Sequence, residues 1–363
     1  MKHGMDERVF VGEADMRGHC VALLEALGVS ADDAATTADV FLQAELMGEE
    51  SHGLRLFVMV LERLKAGGDR AAAKIDTVMD RGATALWDAN RSLGQATAAR
   101  AMKLAINKAR DHGIGFVAVR NGNSLTSAKY YPLMAARQGM IGLAYTNTSR
   151  KLMPPPGGKT PVLGSNPVAV AAPAGRFGTF ALDMACTTAA VERIIKAKER
   201  GETIPRGWAL DQDGRETTDA ARALDSLALL PFGGYKAFGL GMVHEILTSV
   251  LSGGPLRAGD STGFAPYDGA MNTSFSLQAI DIAAFMPVAE FERRMEEFIE
   301  AVKSVEPTAT DAPILFPGER SQGEMERRKK DGIPVIAGTM DNLRAWGREL
   351  GVPPLPDPAT KSN

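Results

Sequence analysis

The sequence predicts a mixed α/β (α+β) protein. Three observations carry this. Apolar residues recur at helical spacing in the first third of the chain. Short apolar runs bounded by Gly, Pro and Asn fill the middle. Charged amphipathic stretches return towards the end. The order is not a clean strand–helix–strand series, so a doubly wound Rossmann fold is not expected. The length of 363 residues suits about two domains and a core that needs no covalent staples. A net charge of −3 gives no electrostatic case for nucleic acid or an anionic membrane as partner. Two cysteines, Cys20 and Cys186, exclude a disulfide scaffold and a cysteine-rich metal site. They fit a reducing compartment. The charged opening, Met1 to Val9, has no apolar run of the signal-peptide kind. No stretch reaches the ~18 apolar residues of a membrane helix. The expectation is a soluble, cytoplasmic protein.

The elements follow in order. Ser30, with Asp33 three residues on, resembles a capping box, and the run Ala34–Met47 continues at helical spacing. A break at Glu49–Gly53 precedes a second helix from Leu54 to Lys65, stopped by Gly67-Gly68. Residues 84–88 (TALWD) and Gly115–Arg120 read as strands flanking the amphipathic helix Gln95–Ala109, which closes at Gly113. Met140–Thr146, Pro167–Ala172 and Phe180–Met184 are further strands, followed by a helix from Thr187 to Arg200. Asp213-Gly214 is a hairpin-type turn signal. Helices are expected at Ala237–Leu251, Ala289–Val302, Gln322–Lys330 and Asn342–Leu350, with a strand at Ile314–Phe316. Residues 351–363 carry four prolines and are expected to trail over the surface.

Most familiar catalytic signatures are missing. Gly239-Leu240-Gly241 begins a G-x-G-x-x-G, but position 244 is His. Gly158-Lys159-Thr160 lacks the first glycine of a Walker loop, whose place Met153 takes. His244-Glu245 starts an H-E-x-x-H that fails at Thr248. No G-x-S-x-G is present for an esterase elbow. Three constellations remain. Ser51-His52-Gly53 sits at a helix break, where an imidazole suits proton transfer and an exposed histidine with Ser51 as a cap is the plainer reading. Tyr145–Ser149 with Gly164–Pro167 places small hydroxyls and amides after a strand, as a phosphate or ribose site does and as a turn-rich loop also does. Gly233-Gly234-Tyr235-Lys236 precedes a helix, where a lysine meets a phosphate or a turn simply ends.

Taken together, these segments resemble the malate/L-lactate dehydrogenase family that is distinct from Rossmann-type enzymes. The matching stretches include AELMGEESHG (44–53), SAKYYPLMAARQGMIGLAYTNTS (127–149), LGSNPVAVAAP (163–173), LDMA (182–185), LLPFGGYKAFGL (229–240) and FPGER (316–320). The resemblance runs from about Ala34 to Val352. It implies a sulfolactate/malate dehydrogenase-like fold with a non-Rossmann NAD(P)-binding domain, which accounts for the missing glycine fingerprint. It also implies a homodimer and, in this chain, a domain of residues 1–80 and 300–363 beside a central cofactor domain of 81–299. The implied activity is hydride transfer between NAD or NADP and a small 2-oxo or 2-hydroxy carboxylic acid. Alternatives are reduction of a C=N bond in cyclic imino or N-alkyl amino acids, and a nucleotide-binding relic without catalysis. The resemblance makes His52 the proton donor, assisted by Ser51. It assigns cofactor contacts to Ser124, Leu125, Thr126, Ser127 and Ala128, to Thr148, to Asp183, Met184 and Ala185, to Tyr235 and Lys236, and to Gly318, Glu319 and Arg320. Ser165 is a substrate contact on the same grounds.

The chain departs from its apparent relatives in three places. Many carry His where this chain has Ser124, and a hydroxyl cannot take a proton near neutral pH as an imidazole does. They often carry the carboxylate-binding Arg four residues after the His, where Leu56 stands; the arginine here is Arg55, turned by ~100° of helix. An acidic residue of the proton relay falls at Arg193, with Glu192 beside it. Arg150-Lys151, after the T-N-T-S motif, suits a 2′-phosphate and equally suits open solvent.

Overall fold

A computed structural model describes residues 7–256, 266–308 and 313–355. A seven-stranded sheet forms its centre. In spatial order the strands are Asp76–Arg81, Thr84–Asp88, Ile114–Gly122, Thr273–Asp281, Met140–Thr146, Val168–Pro173 and Thr179–Met184. Only Thr84–Asp88 and Ile114–Gly122 pair in parallel; helix Gly94–His112 makes that crossover. The sheet's middle strand, Thr273–Asp281, escaped the sequence reading. Its residues Phe275, Leu277 and Ala279 alternate with Ser274, Ser276 and Gln278, a period-two signal hidden by buried serines.

The apolar members of that alternation explain the packing. Ala98, Ala101, Met102, Ala105, Ile106 and Ala109 on helix Gly94–His112 bury against Val117, Val119, Phe275, Leu277 and Ala279. On the other face Ser274 and Ser276 lie near the end of a long helix, where Asn147 donates to Ser249 Oγ (2.8 Å) and accepts from the Ser274 amide (2.8 Å). That helix begins at Tyr235 rather than Ala237 and turns from α to π geometry over Ile246–Val250.

The N-terminal helices Glu13–Ala26, Ala31–Leu46 and Leu54–Ala66 form a separate layer. Ser30 caps the second of them, its Oγ accepting from the Asp33 amide. Met16, Leu23, Phe41, Leu42, Phe57 and Leu61 share a core with Ile333, Val335, Met340, Leu343 and Trp346 from the far end of the chain. The strand pair Arg8–Val11 and Ile333–Ile336 ties the two ends together. A small lobe has its own core of Leu152, Ile194, Ala197, Ile204, Ala209, Ala220, Ala223 and Leu229. It contains helix Val191–Arg200 and the short strands Ala209–Leu210 and Glu216–Thr217 around the expected Asp213-Gly214 turn.

Several expectations are corrected. The helix placed at Thr187 starts at Val191, because Thr187 bridges to Pro231 and residues 188–189 bend, with the Thr188 amide donating to Leu230 O. Ile314–Phe316 is not a strand; Phe316 is instead buried against Ile299 and Ala174. The tail does not trail throughout, since Leu355 is buried in the N-terminal core, and residues 356–363 lie outside the described residues. The helices expected at 289–302, 322–330 and 342–350 are longer, at Val288–Lys303, Glu319–Asp331 and Ala337–Leu350.

One close contact sets the helix-to-sheet distance. A Cβ at Gly115 would lie 1.9 Å from the Ala105 carbonyl oxygen. Gly115→Ala should therefore destabilise the protein by about 3 kcal/mol, the upper end of ordinary overpacking. Urea denaturation checks this, and an unchanged midpoint would show that the helix can move away freely.

Candidate active site

The site begins with a short turn. After helix Ala31–Leu46, residues Glu50–His52 form one 3-10 turn, closed by the His52 amide donating to Glu49 O at 2.8 Å. The next helix starts at Leu54 without a side-chain cap from its own N-cap residue, Gly53. Its first free amide is satisfied from the preceding helix, as Leu54 N donates to Glu45 Oε1 at 2.8 Å. Ser51 is thus not the cap. It shares a 2.9 Å hydrogen bond with His52 Nδ1, leaving Nε2 as the nitrogen available to a ligand. Burial pushes Glu45 up to about 7, opposed mainly by the Leu54 amide.

His52 lies at the foot of a cleft of about 920 Å³, between the N-terminal layer, the sheet edge and the small lobe. Its ring keeps water-accessible surface, yet protein encloses it on most sides. That enclosure lowers its pKa below the ordinary imidazole value. Glu49 and Glu192 pull it back up, while Arg55 and Lys129 press it down. At neutral pH the imidazole is therefore mainly uncharged.

The cleft gathers most of the residues singled out in the sequence. Ser51, His52, Arg55, Ser124, Leu125, Thr126, Ala128, Thr148, Ser165, Asp183, Met184 and Ala185 all line it. Ser127 stands just behind the wall, buried, its Oγ donating to Glu49 Oε2 at 3.3 Å. Five residues lie outside. Tyr235 and Lys236 are exposed at the start of their helix. Gly318 and Arg320 flank Glu319, whose carboxylate pairs with Lys303 and accepts from the Phe316 amide at 3.2 Å.

Reading the residues alone missed the supporting charges. Lys129, buried beneath the cleft, pairs with Glu49 and donates to Ser321 Oγ at 3.0 Å. Its backbone amide donates to Asp183 Oδ2 at 2.9 Å. Burial and the nearby Glu49 charge push Asp183 up to about 7. Arg55 pairs with Glu192 across the cleft. The available signal was a lysine inside an otherwise apolar run, which burial permits only with a partner.

The walls suit an elongated, part-polar ligand. The volume is near the top of the range for small-molecule and cofactor sites. Leu125, Ala128, Met184 and Ala185 offer apolar surface, and Thr148, Ser124 and Asp183 offer polar atoms. Thr126 adopts φ 69°, costly for a β-branched residue. Gln95 holds it there by donating to the Thr126 Oγ1 at 2.7 Å, and the Thr126 backbone amide donates to Ser124 Oγ at 3.2 Å. Among the described residues no His, Cys, Asp and Glu group could hold a metal ion.

Comparison with known proteins then decides the class. The model of the malate/L-lactate dehydrogenase family matches residues 11–344. The chain belongs to this family. It is 36% identical over 92% of its length to a malate dehydrogenase of Pyrococcus horikoshii, covering 93% of that protein. It is 31% identical to a (2R)-3-sulfolactate dehydrogenase (NADP(+)) of Chromohalobacter salexigens, over 90% of this chain and 94% of the other. The solved sulfolactate dehydrogenase of Methanocaldococcus jannaschii superposes with a TM-score of 0.88 at 37% identity, covering 94% of this chain and 98% of that one. The fold is that of the sulfolactate/malate dehydrogenases, and the chain is an oxidoreductase of the dehydrogenase type. Among the described residues no helix is long and apolar enough to cross a membrane.

Gly53 tests the support of the turn. A Cβ there would lie 2.1 Å from Glu45 Oε1. Gly53→Ala should displace the carboxylate that caps Leu54 and shift His52. Since small misplacements of a catalytic group are costly, turnover should fall by about 10²-fold. Steady-state assay alongside a circular-dichroism melt checks this, with the fold expected to survive.

Proposed function

We propose that this family member transfers hydride between a nicotinamide cofactor, NAD or NADP, and the C2 position of a small 2-hydroxy or 2-oxo carboxylic acid, with His52 as acid and base. The observation that carries the reading is the Ser51–His52 pair at the foot of a cleft that also holds Thr148 and Asp183–Ala185. A nicotinamide bound there supplies or accepts the hydride at its C4. In oxidation, neutral His52 accepts the hydroxyl proton at Nε2 as the hydride leaves C2. In reduction, protonated His52 returns that proton to the carbonyl oxygen. Ser51 fixes the ring through Nδ1 and keeps Nε2 towards the cleft. Arg55 and Ser165 hold the substrate carboxylate, Arg55 exchanging Glu192 for it. With Ser124 in place of a second imidazole, His52 carries the proton alone. Arg150 lines the cleft two residues after Thr148, and its guanidinium supports a cofactor with a 2′-phosphate, NADP, over NAD.

His52→Ala should lower turnover by at least ~10²-fold, the scale of a lost general acid. The pH profile gives the sign. His52 accepts a proton only when uncharged, so kcat/KM for oxidation should rise through a midpoint below 6.5 and then level off. For reduction it should fall through the same midpoint. A His52→Ala enzyme with wild-type turnover, or profiles without this mirror relation, would reject the assignment.

We also propose a homodimer. Met242, Val243, Ile246, Val250 and Leu251 stand half-exposed on the helix that starts at Tyr235. A contiguous apolar face of this kind favours a partner surface, and a second copy is the occupant that the family resemblance implies. Ile246→Glu should convert the dimer to monomer in sedimentation velocity; a monomeric wild type would refute the proposal.

A further inference from the structure

The helix that starts at Tyr235 turns its apolar side to solvent. From Gly241 to Ser252 the outward face exposes Met242, Val243, Ile246, Val250 and Leu251, while the buried face carries His244, Glu245, Thr248, Ser249 and Ser252. A surface helix ordinarily buries its apolar side. Polar side chains enclosed against a sheet need specific partners. Two of those partners lie in the loops that wall the cleft.

The first is Asn166. It is fully buried between the cleft residues Ser165 and Pro167 and holds φ 36°. Its side chain is turned to the helix, where Nδ2 donates to Gly241 O at 3.1 Å and to Glu245 Oε2 at 3.0 Å. Its carbonyl oxygen accepts from His244 Nδ1 at 2.7 Å. The second is Asn147, which lines the cleft beside Thr148. Its Nδ2 donates to Ser249 Oγ at 2.8 Å, inside the π turn, and its Oδ1 accepts from the Ser274 amide at 2.8 Å. The two loops meet where the Ser165 amide donates to Thr148 Oγ1 at 3.2 Å. Each is tied to the helix through its own asparagine.

We propose that Asn166 and Asn147 are positioning residues through which this helix sets two walls of the site separately: Asn166 the substrate wall at Ser165, and Asn147 the cofactor wall at Thr148. This rests on the hydride-transfer reading above, which gives Ser165 to the substrate and Thr148 to the cofactor. Neither asparagine side chain is asked to touch a reacting atom. Each fixes a backbone whose neighbour does, and small displacements of such a neighbour are costly. Glu245 and Ser249 stand four residues apart on the buried face, so one rigid helix carries both anchors.

The test measures two constants on the full chain: Kd for NADPH by fluorescence titration, and Kd for oxamate by calorimetry on the NADPH-saturated protein. Asn166→Gly removes the first tether, and glycine accepts the positive φ without strain. It should weaken oxamate by about 10-fold, the scale of a lost hydrogen bond whose partner stays buried, with NADPH within about two-fold. Glu245→Ala should do the same and reads this tether even if Asn166→Gly fails to fold. Glu245→Gln keeps an acceptor oxygen for Asn166 and should stay near wild type. Ser249→Ala should give the crossed result, NADPH weaker by about 10-fold and oxamate within about two-fold. A general loosening of the fold would instead move both constants together in every variant. That parallel pattern, unchanged constants, a Glu245→Gln as weak as Glu245→Ala, or a wild type that binds neither ligand would overturn the assignment. If wild type turns over neither pyruvate nor oxaloacetate with NADH or NADPH, the hydride-transfer reading fails separately, and the two binding constants still decide the inference.

Discussion

The hydrogen bond from the Leu54 amide to the Glu45 carboxylate is the constraint on which the site depends. A helix N-terminus normally finds its cap in the residue just before it. Here the cap comes from the previous helix, nine residues back, and the chain between must close into a turn tight enough to reach it. That turn is Glu50–His52, and its only route past the carboxylate is through a glycine, Gly53. Arg328 reinforces the arrangement from the C-terminal segment, its Nη1 donating to Glu45 O at 2.9 Å and its Nη2 to Glu50 at 3.2 Å. The N-terminal and C-terminal elements thus cooperate to hold one imidazole, and the sheet needs only to supply the opposite wall.

The electrostatics of that wall follow from burial. A lysine as enclosed as Lys129 requires an anion, and Glu49 is that anion. Fixing Glu49 places a negative charge near both His52 and Asp183 and raises both pKa values: for the imidazole this opposes the effect of enclosure, and for the Asp183 carboxyl it adds to it. The net outcome is an imidazole whose pKa lies below its ordinary value, so that it is mainly neutral at physiological pH and free to accept a proton.

The sequence exposed local features well and long-range ones poorly. Helices Ala31–Leu46 and Leu54–Ala66 showed in their apolar spacing and glycine stops, and strand Met140–Thr146 in its bounded apolar run. Strand Thr273–Asp281 did not, because its buried serines disguise a central strand as a polar one, and the contact that fixes it, the Ser274 backbone amide donating to Asn147, joins residues more than a hundred positions apart. The site divides similarly. Ser51 and His52 are adjacent in the chain and visible as a pair. Family resemblance brought Thr148 and Asp183 into view, and the structure sets both in the same cleft. The Glu45 cap, the Glu49–Lys129 pair and the Arg55–Glu192 pair join residues distant in sequence, and no spacing rule connects them. The G-G-Y-K and P-G-E-R segments were equally legible as motifs, yet the chain places Lys236 and Arg320 on the outer surface, away from the cleft.

The central claim is spatial: a nicotinamide ring shares the cleft with His52. The most direct measurement is a crystal structure of the protein with NADPH and oxamate. The account predicts the ring against the walls formed by Thr148 and Asp183–Ala185, with an oxamate oxygen accepting a hydrogen bond from His52 Nε2. A nicotinamide bound elsewhere on the surface, with His52 in contact with neither molecule, would contradict it.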